Sequence, residues 1–358
     1  MSFDEILNNI SIPHTPLERI ELAIKLEVPD RTPIAPVITM HTPTDLNKID
    51  MIIEEAFVRY GGFDGFLLHP STLTTGLLYT PCKPDLTEAI PTMKTSNGYD
   101  EIDRGGFMSY VSQVYRELEL DTDIERTVFS AAERIKAFAS KWEHERKIPV
   151  YAGAMGIVPF GFLSYQRGLL EIMKDIIRFP GKVTDACYTI ADEMTEVLIK
   201  LAKISTVPRL WLSFINSMPD VLGLPYFSSF VWPTAKIMIN KLIEAEVTPI
   251  LQFDVDASSI FKFIKELPER ECILHFDSST DIFDAKNEVG NHSCIMGNVS
   301  FLKLATPKEI ESYCKKLIAE VGKEGGFILS SDSPLLMDEE APEKIKALIN
   351  IEKYGKII

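Results

Sequence analysis

Short apolar, β-branched runs alternate along the chain with longer stretches whose apolar positions recur every three to four residues. This alternation is typical of buried parallel strands joined by crossover helices. The runs predicted as strands are Pro33–Thr39, Asp64–His69, Pro149–Met155, Arg209–Ile215, Val247–Asp254, Cys272–Asp277, Ser293–Val299 and Gly326–Ser331. The predicted helices are Leu46–Tyr60, Ile124–Arg146, Leu169–Ile204 with a break at Pro180, Trp232–Glu246, Ser258–Leu267, Asp281–Val289 and Pro307–Val321. Eight such strand–helix units predict a TIM (β/α)8 barrel.

Two segments lie outside these units. Thr15 is the expected N-cap of a helix that runs through Leu26, with Glu18 at capping-box spacing. Residues 1–30 are therefore expected to be a helical extension packed on the bottom of the barrel formed by residues 31–358. The second segment, about 69–122, is too long for an ordinary connection and contains a candidate hairpin, GGFMSYVSQVYRELEL. Because it follows the second strand, we expect a lid insertion over the barrel mouth.

The charge balance excludes some classes of partner. The chain carries 37 Lys and Arg against 52 Asp and Glu, a net charge of -15, and no basic cluster, so no nucleic-acid partner is expected. Its 5 cysteines lack a CxxC spacing, which favours a reducing compartment. The start MSFDEILNN does not resemble a signal peptide, and no run reaches about 18 apolar residues. A cytoplasmic protein without membrane contact is expected.

Polar residues at the strand ends form the candidate site, because the carboxyl ends of barrel strands converge on one pocket. His275 and Asp277 are two residues apart on a strand, so their side chains face the same way. We interpret Asp254, His275 and Asp277 as catalytic, in proton transfer or in polarising a leaving group. The expected substrate-binding residues are Gln252, Asn298, Ser331, Asp332, Ser333 and Met155.

A structural interpretation of the same residues stays open. Asp277 is also a candidate cap for a helix that begins near Thr280, with His275 as a hydrogen-bonded core residue. Asp254 and Asp256 have the same alternative. The chain has no GxGxxG after a strand, no Walker loop, no HExxH and no GxSxG, so nucleotide, zincin and serine-hydrolase chemistry lack their parts.

Small and aromatic residues follow the third strand. Gly153 and Gly156 either let a flat ligand approach the backbone or mark a tight turn. Phe160, Phe162 and Tyr165 either line the pocket or pack against the insertion, and the sequence is compatible with both.

Three stretches resemble the uroporphyrinogen decarboxylase superfamily: TPLERIELAIKLEVPDRTPIAP, HFDSSTDIFDAKNEVGNHSCIMGNVSFLKLATPKEIESYCKKLI and EVGKEGGFILSSDSPLLMDEEAPEKIKALI. The likeness covers nearly the whole chain and is greatest to the branch of corrinoid-linked methyltransferases. It implies a TIM barrel with its pocket at the carboxyl ends of the strands. The decarboxylases carry an Arg-rich segment after the first strand, whereas VITMHTPTDLNKIDMIIEEAFV contains no arginine. The resemblance therefore does not favour porphyrin decarboxylation.

The methyltransferase branch typically binds zinc through a His-x-Cys pair and a later Cys. Gln252 stands where many relatives have His, and Ser333 where the late Cys would be, so a thiolate zinc site is not expected. An oxygen- and nitrogen-ligated zinc or other divalent metal on His275, Asp254 or Asp277 remains open, as does a metal-free pocket.

The resemblance implies a methyltransferase that moves a methyl group between a small methylated donor, or tetrahydrofolate, and a corrinoid (cobalamin) cofactor on a partner protein. Two alternatives keep the fold. One is a decarboxylase or lyase acting on a small acid, and the other is a ligand-binding paralogue without catalysis, suggested by Gln252 and Ser333.

Overall fold

A closed parallel barrel is the centre of the computed structural model, which describes residues 13–39, 63–68, 91–117, 123–336 and 342–349. One parallel sheet contains, in spatial order, Ala154–Ile157, Arg209–Ser213, Thr248–Phe253, Ile273–Phe276, Cys294–Val299 and Phe327–Ser331, and a second contains Leu67–Leu68, Val37–Thr39 and Leu335–Leu336. Isolated bridges from Ile34 to Leu329 and from Phe66 to Val150 join the two sheets at both edges. The predicted TIM barrel is therefore confirmed. Its strands are β1 (Val37–Thr39), β2 (Leu67–Leu68), β3 (Ala154–Ile157), β4 (Arg209–Ser213), β5 (Thr248–Phe253), β6 (Ile273–Phe276), β7 (Cys294–Val299) and β8 (Phe327–Ser331), with β9 (Leu335–Leu336) beside β1.

Alternation along each strand separates the barrel interior from its outer wall. Trp211, Ile250 and Ile273 belong to the cluster of buried side chains inside the barrel. Their chain neighbours, such as Leu212 and Leu274, belong to the larger cluster packed under the surrounding helices. By this alternation, Ser213, Gln252 and His275, each two positions after an interior residue, face the barrel interior at its top.

Helices surround the strands. In chain order they are α1 (Pro16–Ile24), α2 (Asn97–Gly105), α3 (Phe107–Glu117), α4 (Ile124–Arg146), α5 (Pro159–Arg167), α6 (Leu169–Arg178), α7 (Pro180–Ser205), α8 (Pro219–Leu222), α9 (Leu224–Tyr226), α10 (Trp232–Glu244), α11 (Phe261–Ile264), α12 (Ile282–Val289), α13 (Pro307–Glu320) and α14 (Pro342–Ile349). A π-helical segment, Phe227–Val231, leads into α10, and a 3₁₀ turn, Ser258–Ile260, precedes α11. The helix expected over Ser258–Leu267 is thus shorter than predicted. No helix within these described segments is long and apolar enough to span a bilayer.

Helix α1 covers the amino-terminal end of the barrel. The predicted capping box is present: Glu18 N donates to Thr15 Oγ1, and Thr15 N donates to Glu18 Oε2. Ile20 and Ala23 on its buried face pack with the interior cluster. Apolar side chains of α1 therefore close the amino-terminal end of the barrel.

The predicted hairpin GGFMSYVSQVYRELEL is wrong, because Phe107–Glu117 within it is helical. Phe107, Tyr110, Val111 and Val114 are all buried, and their spacing of three and four residues places them on one face of α3. Helical periodicity in this stretch overrides the strand-like mixture of apolar and polar residues.

The described part of the insertion lies against the outer helices that follow β3. The Phe107 ring packs edge-on against Phe162 of α5 at 5.2 Å between centroids. The Phe107 N–H donates to Glu193 Oε2 of α7 at 2.7 Å. Residues 91–117 thus pack against α5 and α7, and the expected position of the whole insertion over the mouth stays a prediction. Residues 69–90 and 118–122, and the helix predicted over Leu46–Tyr60, lie outside the described residues.

Candidate active site

Neighbouring strands bring Ser213, Gln252 and His275 side by side at the top of the barrel. The register pairs Ser213 with Gln252 and Gln252 with His275. Ser213 Oγ donates to Gln252 Oε1 at 2.6 Å, which holds the half-buried amide in place. Ser213 was not predicted, although its position two residues after the interior Trp211 indicates the same face.

His275 has one ring nitrogen engaged and one without a partner. Nε2 lies 2.9 Å from the carbonyl oxygen of Ser331. A carbonyl can only accept, so Nε2 carries the proton and Nδ1 carries a lone pair. Nδ1 is buried and has no hydrogen-bond partner in the part of the chain that the structure describes, and the Trp211 ring packs on the imidazole at 4.9 Å.

Burial keeps His275 neutral. It lowers the pKa of the imidazole to about 4, although the Ser331 carbonyl and the Asp332 carboxylate act in the opposite direction. At neutral pH the ring is therefore a hydrogen-bond acceptor at Nδ1 and has no spare proton to give to a leaving group.

Two successive serines at the end of β8 differ in their bonding. Ser331 Oγ accepts from the backbone N–H of Val37 at 3.3 Å and so fastens β8 to β1. Ser330 Oγ is fully buried and has no partner. Ser330 lies two residues after the interior Ile328, so it faces the barrel cavity, whereas the sequence prediction named Ser331. The inward alternation from Ile328 is the signal that would have identified Ser330.

Asp254 and Asp277 lie close enough for their charges to interact. Burial, and then the Asp277 carboxylate, raise the pKa of the half-buried Asp254. Asp277 Oδ1 accepts from the backbone N–H of Ser279 at 2.7 Å, and Oδ2 from the Ser279 hydroxyl at 3.2 Å. Asp277 thus makes an Asx turn at the end of its strand.

The alternative interpretation of Asp277 as the cap of the next helix is wrong. Asp281 is the N-cap of α12, where it accepts from Phe283 N and Asp284 N. Asp256 has a local role, because its Oδ1 accepts from the backbone and hydroxyl of Ser258 at 3.0 and 2.6 Å.

The aromatic residues after β3 divide between the two roles left open by the sequence. Phe162 packs on Phe107 of the insertion, and Phe160 is fully buried in the core. Tyr165 is half-buried, and both burial and the charge of Asp254 raise the pKa of its phenol. Tyr165 therefore packs at the edge of the core cluster.

Asn298 is engaged by protein groups. Its Nδ2 donates to the carbonyl oxygens of Asp277 at 3.2 Å and Thr280 at 3.1 Å, and its Oδ1 accepts from Tyr313 Oη at 2.8 Å. The side chain ties the loop after β6 to α13. Its expected contact with substrate stays a prediction.

The other expected binding residues occupy the same end of the barrel. Asp332 is buried and accepts from the Ser333 hydroxyl at 2.8 Å. Met155 is paired in register with Trp211 and packs against the interior cluster. Gly153 and Gly156 adjoin Ser205 and Leu198 on α7, so their small size serves the contact between strand and helix.

The donor set for a metal is incomplete. Within residues 13–39, 63–68, 91–117, 123–336 and 342–349, no group of three or more His, Cys, Asp or Glu side chains is arranged to hold an ion. Burial raises the pKa of the thiols of Cys187, Cys272, Cys294 and Cys314. Among the described residues, His275 and Asp254 thus have no third side chain with which to bind the predicted metal.

A known structure and a family model resemble the chain. A methyltransferase from Methanosarcina mazei superposes with a TM-score of 0.69 at 14% sequence identity, covering 95% of this chain and 99% of that one. At this identity the likeness establishes the fold. No curated protein sequence matches the chain. The model of the family "Uroporphyrinogen decarboxylase (URO-D)" matches residues 109–353, which is more than half of the sequence. The chain therefore belongs to the uroporphyrinogen decarboxylase family.

Proposed function

We propose that the protein is a cytoplasmic methyltransferase that moves a methyl group between a small methylated donor, or tetrahydrofolate, and a corrinoid on a partner protein. Its family and the fold shared with a methyltransferase support this assignment. The observation that carries it is the charge of the site. Asp254, Asp277 and a neutral His275 stand at the strand ends, where a porphyrin polycarboxylate would require cations.

A lysine beside the loop after β6 is already engaged. Lys303 Nζ donates to the carbonyl oxygen of Ser278 at 2.8 Å. Binding of several propionate groups would also meet the repulsion of two carboxylates. A donor without negative charge therefore suits the pocket better than the porphyrin that names the family.

The residues deep in the barrel and those at the strand ends have different roles in this proposal. In this proposal, His275 Nδ1 accepts a hydrogen bond from the part of the donor deepest in the barrel, and Ser330 Oγ is a second buried group that can donate one. Gln252, held by Ser213, lies beside His275 in the register of the strands. In this proposal, the half-buried Asp254 and Asp277 flank the methyl group at the strand ends. The corrinoid supplies the nucleophile that accepts the methyl group.

An absorbance assay tests the proposal. Cob(I)alamin is mixed with the full-length protein and with methyl ethers, methylamines, methyl halides or methyltetrahydrofolate, and methylcobalamin formation is followed. At least one donor should give turnover, and His275→Gln should lower the rate about tenfold or more. Glu320→Gln, an exposed change at the C-terminal end of α13, should leave the rate unchanged.

The other two functions have distinct outcomes. Release of carbon dioxide from a small acid without corrinoid, with no methyl transfer from any donor, would establish a decarboxylase. Ligand-induced thermal stabilisation together with inactivity in both assays would establish a binding protein. Either result contradicts the methyltransferase assignment.

A further inference from the structure

The loops after β5 and β6 are joined by one buried hydroxyl group. Thr280 Oγ1 accepts from the backbone N–H of Ala257 at 3.1 Å and donates to the carbonyl oxygen of Val255 at 3.4 Å. Only 2% of Thr280 is exposed, and hydrogen bonds in such a setting are stronger than those in water. The hydroxyl group thus holds the loop that follows Asp254 at the end of β5.

The turn that begins at Asp277 is held from two sides. On one side, the Asp277 N–H donates to the carbonyl oxygen of Phe253 at 3.1 Å, which extends the pairing of β5 and β6 by one bond. Thr280 N closes the turn by donating to the Asp277 carbonyl oxygen at 3.3 Å. On the other side, Asn298 Nδ2 donates to the carbonyl oxygens of Asp277 and Thr280 at 3.2 and 3.1 Å. The backbone of Asp277 is therefore fixed by β5 and β7 together.

Tyr313 stabilises one orientation of the Asn298 amide. Carbonyl oxygens can only accept, so the NH2 group of the amide faces Asp277 and Thr280, and both of its hydrogens are used. The amide oxygen faces Tyr313, whose Oη donates to it at 2.8 Å. Asn298 is 2% exposed, and Tyr313 on α13 is half-buried. The bond from Tyr313 thus favours the orientation in which the amide holds the turn.

The Asp277 carboxylate retains capacity for a ligand. Its Oδ1 and Oδ2 each accept one bond from Ser279, at 2.7 and 3.2 Å, whereas a carboxylate oxygen can accept two. Asp254 and Asp277 are both half-buried. The bonds that join the two strand ends come from the main chain, Thr280 and Asn298, and none of those described above uses either carboxylate.

Groups that act on one small substrate must keep their relative positions to within about 0.5 Å. Loops after strands are the more mobile parts of a fold unless other groups hold them. We propose that Thr280, Asn298 and Tyr313 form a positioning network, which keeps Asp254 and Asp277 in one relative arrangement. The inference rests on the proposed methyl transfer, in which these carboxylates flank the methyl group. The three residues of the network act through the carboxylates and need not touch the substrate.

Amide hydrogen exchange of the full-length protein tests the network without donor or corrinoid. Thr280→Val removes the hydroxyl group, so exchange in residues 254–258 and 277–281 should be about tenfold faster or more, because Ala257 loses its acceptor. Thr280→Ser keeps the hydroxyl group and should retain most of the protection. Unchanged exchange in Thr280→Val, or an equal rise throughout the chain, would overturn the inference.

A second pair of variants tests Tyr313. Tyr313→Phe keeps the ring and removes only the hydroxyl group that donates to Asn298, so exchange in residues 277–281 should rise about threefold to tenfold. Tyr188→Phe is the matched control, because it removes the same group from an exposed tyrosine on α7 and should leave this exchange unchanged. Equal responses of the two variants would contradict the role of Tyr313.

Kinetics of methyl transfer test whether the network acts through the carboxylates. Thr280→Val should lower kcat about tenfold with little change in KM, and Thr280→Ser should recover most of the rate. In protein that already carries Asp254→Asn and Asp277→Asn, Thr280→Val should lower kcat only about twofold or less, because the groups that Thr280 positions are gone. An equal loss in both backgrounds would show a merely structural role and overturn the inference.

The two measurements separate this inference from the proposed function. Faster local exchange in Thr280→Val, without methyl transfer by the unmodified protein from any donor, would support the network and contradict the methyltransferase. Methyl transfer by Thr280→Val at the rate of the unmodified protein would support the methyltransferase and overturn the positioning role.

Discussion

The two ends of the barrel differ in how fully their buried polar groups are hydrogen-bonded. At the amino-terminal end, the fully buried Asp64 accepts from Arg19 at 2.8 Å, from Arg31 at 2.6 and 2.9 Å, and from the backbone N–H of Ile34 at 3.0 Å. At the carboxyl-terminal end, His275 Nδ1 and Ser330 Oγ have no partner. Satisfied buried groups stabilise a fold, whereas unsatisfied ones cost stability unless a ligand completes them.

The contrast is one of degree. Tyr151 Oη, inside the barrel, also lacks a partner, although the Arg209 guanidinium lies over its ring at 5.5 Å and donates to its carbonyl oxygen at 3.2 Å. At the amino-terminal ends of β3 and β4, the protein's own side chains thus surround Tyr151. Residues that stabilise the fold therefore lie at the amino-terminal ends of the strands, and the candidate catalytic residues lie at the carboxyl ends.

The largest effect is expected at the closed end. Asp64→Ala removes the carboxylate that Arg19 and Arg31 share and leaves the buried Ile34 N–H without its acceptor, while Arg19 keeps its bonds to Asp30, so the free energy of unfolding should fall by about 3 kcal/mol. Urea denaturation measures this loss. Asp30→Ala, which removes only the more exposed partner of Arg19, should cost about 1 kcal/mol or less. Similar losses in both variants would show that Asp64 does not anchor this end.

A pH effect is expected at the open end. Because burial lowers the pKa of His275 to about 4, the unfolded chain binds the imidazole proton first as the pH falls below about 6.5. The contribution of neutral His275 to stability is complete above that pH and is lost as the pH falls toward 4. At pH 5 the loss should be about 2 kcal/mol.

Denaturant titrations at several pH values check this effect. His275→Gln removes the titrating group, so the difference between pH 7.5 and pH 5 should shrink by the same amount. An unchanged pH dependence in His275→Gln would mean that the imidazole is not buried as described.

The smallest effect compares two adjacent serines. Ser331→Ala loses the bond to Val37 N and should destabilise the protein by about 1 kcal/mol. Ser330→Ala removes an unsatisfied hydroxyl, so its stability should be unchanged or slightly higher while methyl transfer falls. Melting temperature and turnover, measured on the same preparations of both variants, test this difference between the two serines. Equal destabilisation by the two changes would remove the distinction between the ends of the barrel.

Much of the fold was accessible from periodicity. Helix α4 spans Ile124–Arg146, as predicted, because a long amphipathic pattern follows a good N-cap at Asp123. The helix over Phe107–Glu117 was missed because aromatic and β-branched residues there imitate a strand. Packing on α5 and α7 selects the helical face, and that packing is invisible in the local sequence.

The candidate site was accessible only as a set of strand ends. Strand order alone places Gln252, Asp254, His275 and Asp277 at the same edge. The sequence does not show which of these polar atoms form hydrogen bonds within the protein. Asn298 is held by a loop and a helix, whereas Ser330 is left without a partner. That distinction depends on three-dimensional neighbours.

Closure of the barrel has a consequence for synthesis of the chain. β1 pairs with β2 early, but its other edge meets β8 and β9 only after almost 300 further residues have been made. Until then the backbone groups on that edge are free to recruit other extended segments. Contacts this distant in sequence also slow folding. The emerging chain thus has to keep its first strand shielded from other nascent chains until the last strand leaves the ribosome.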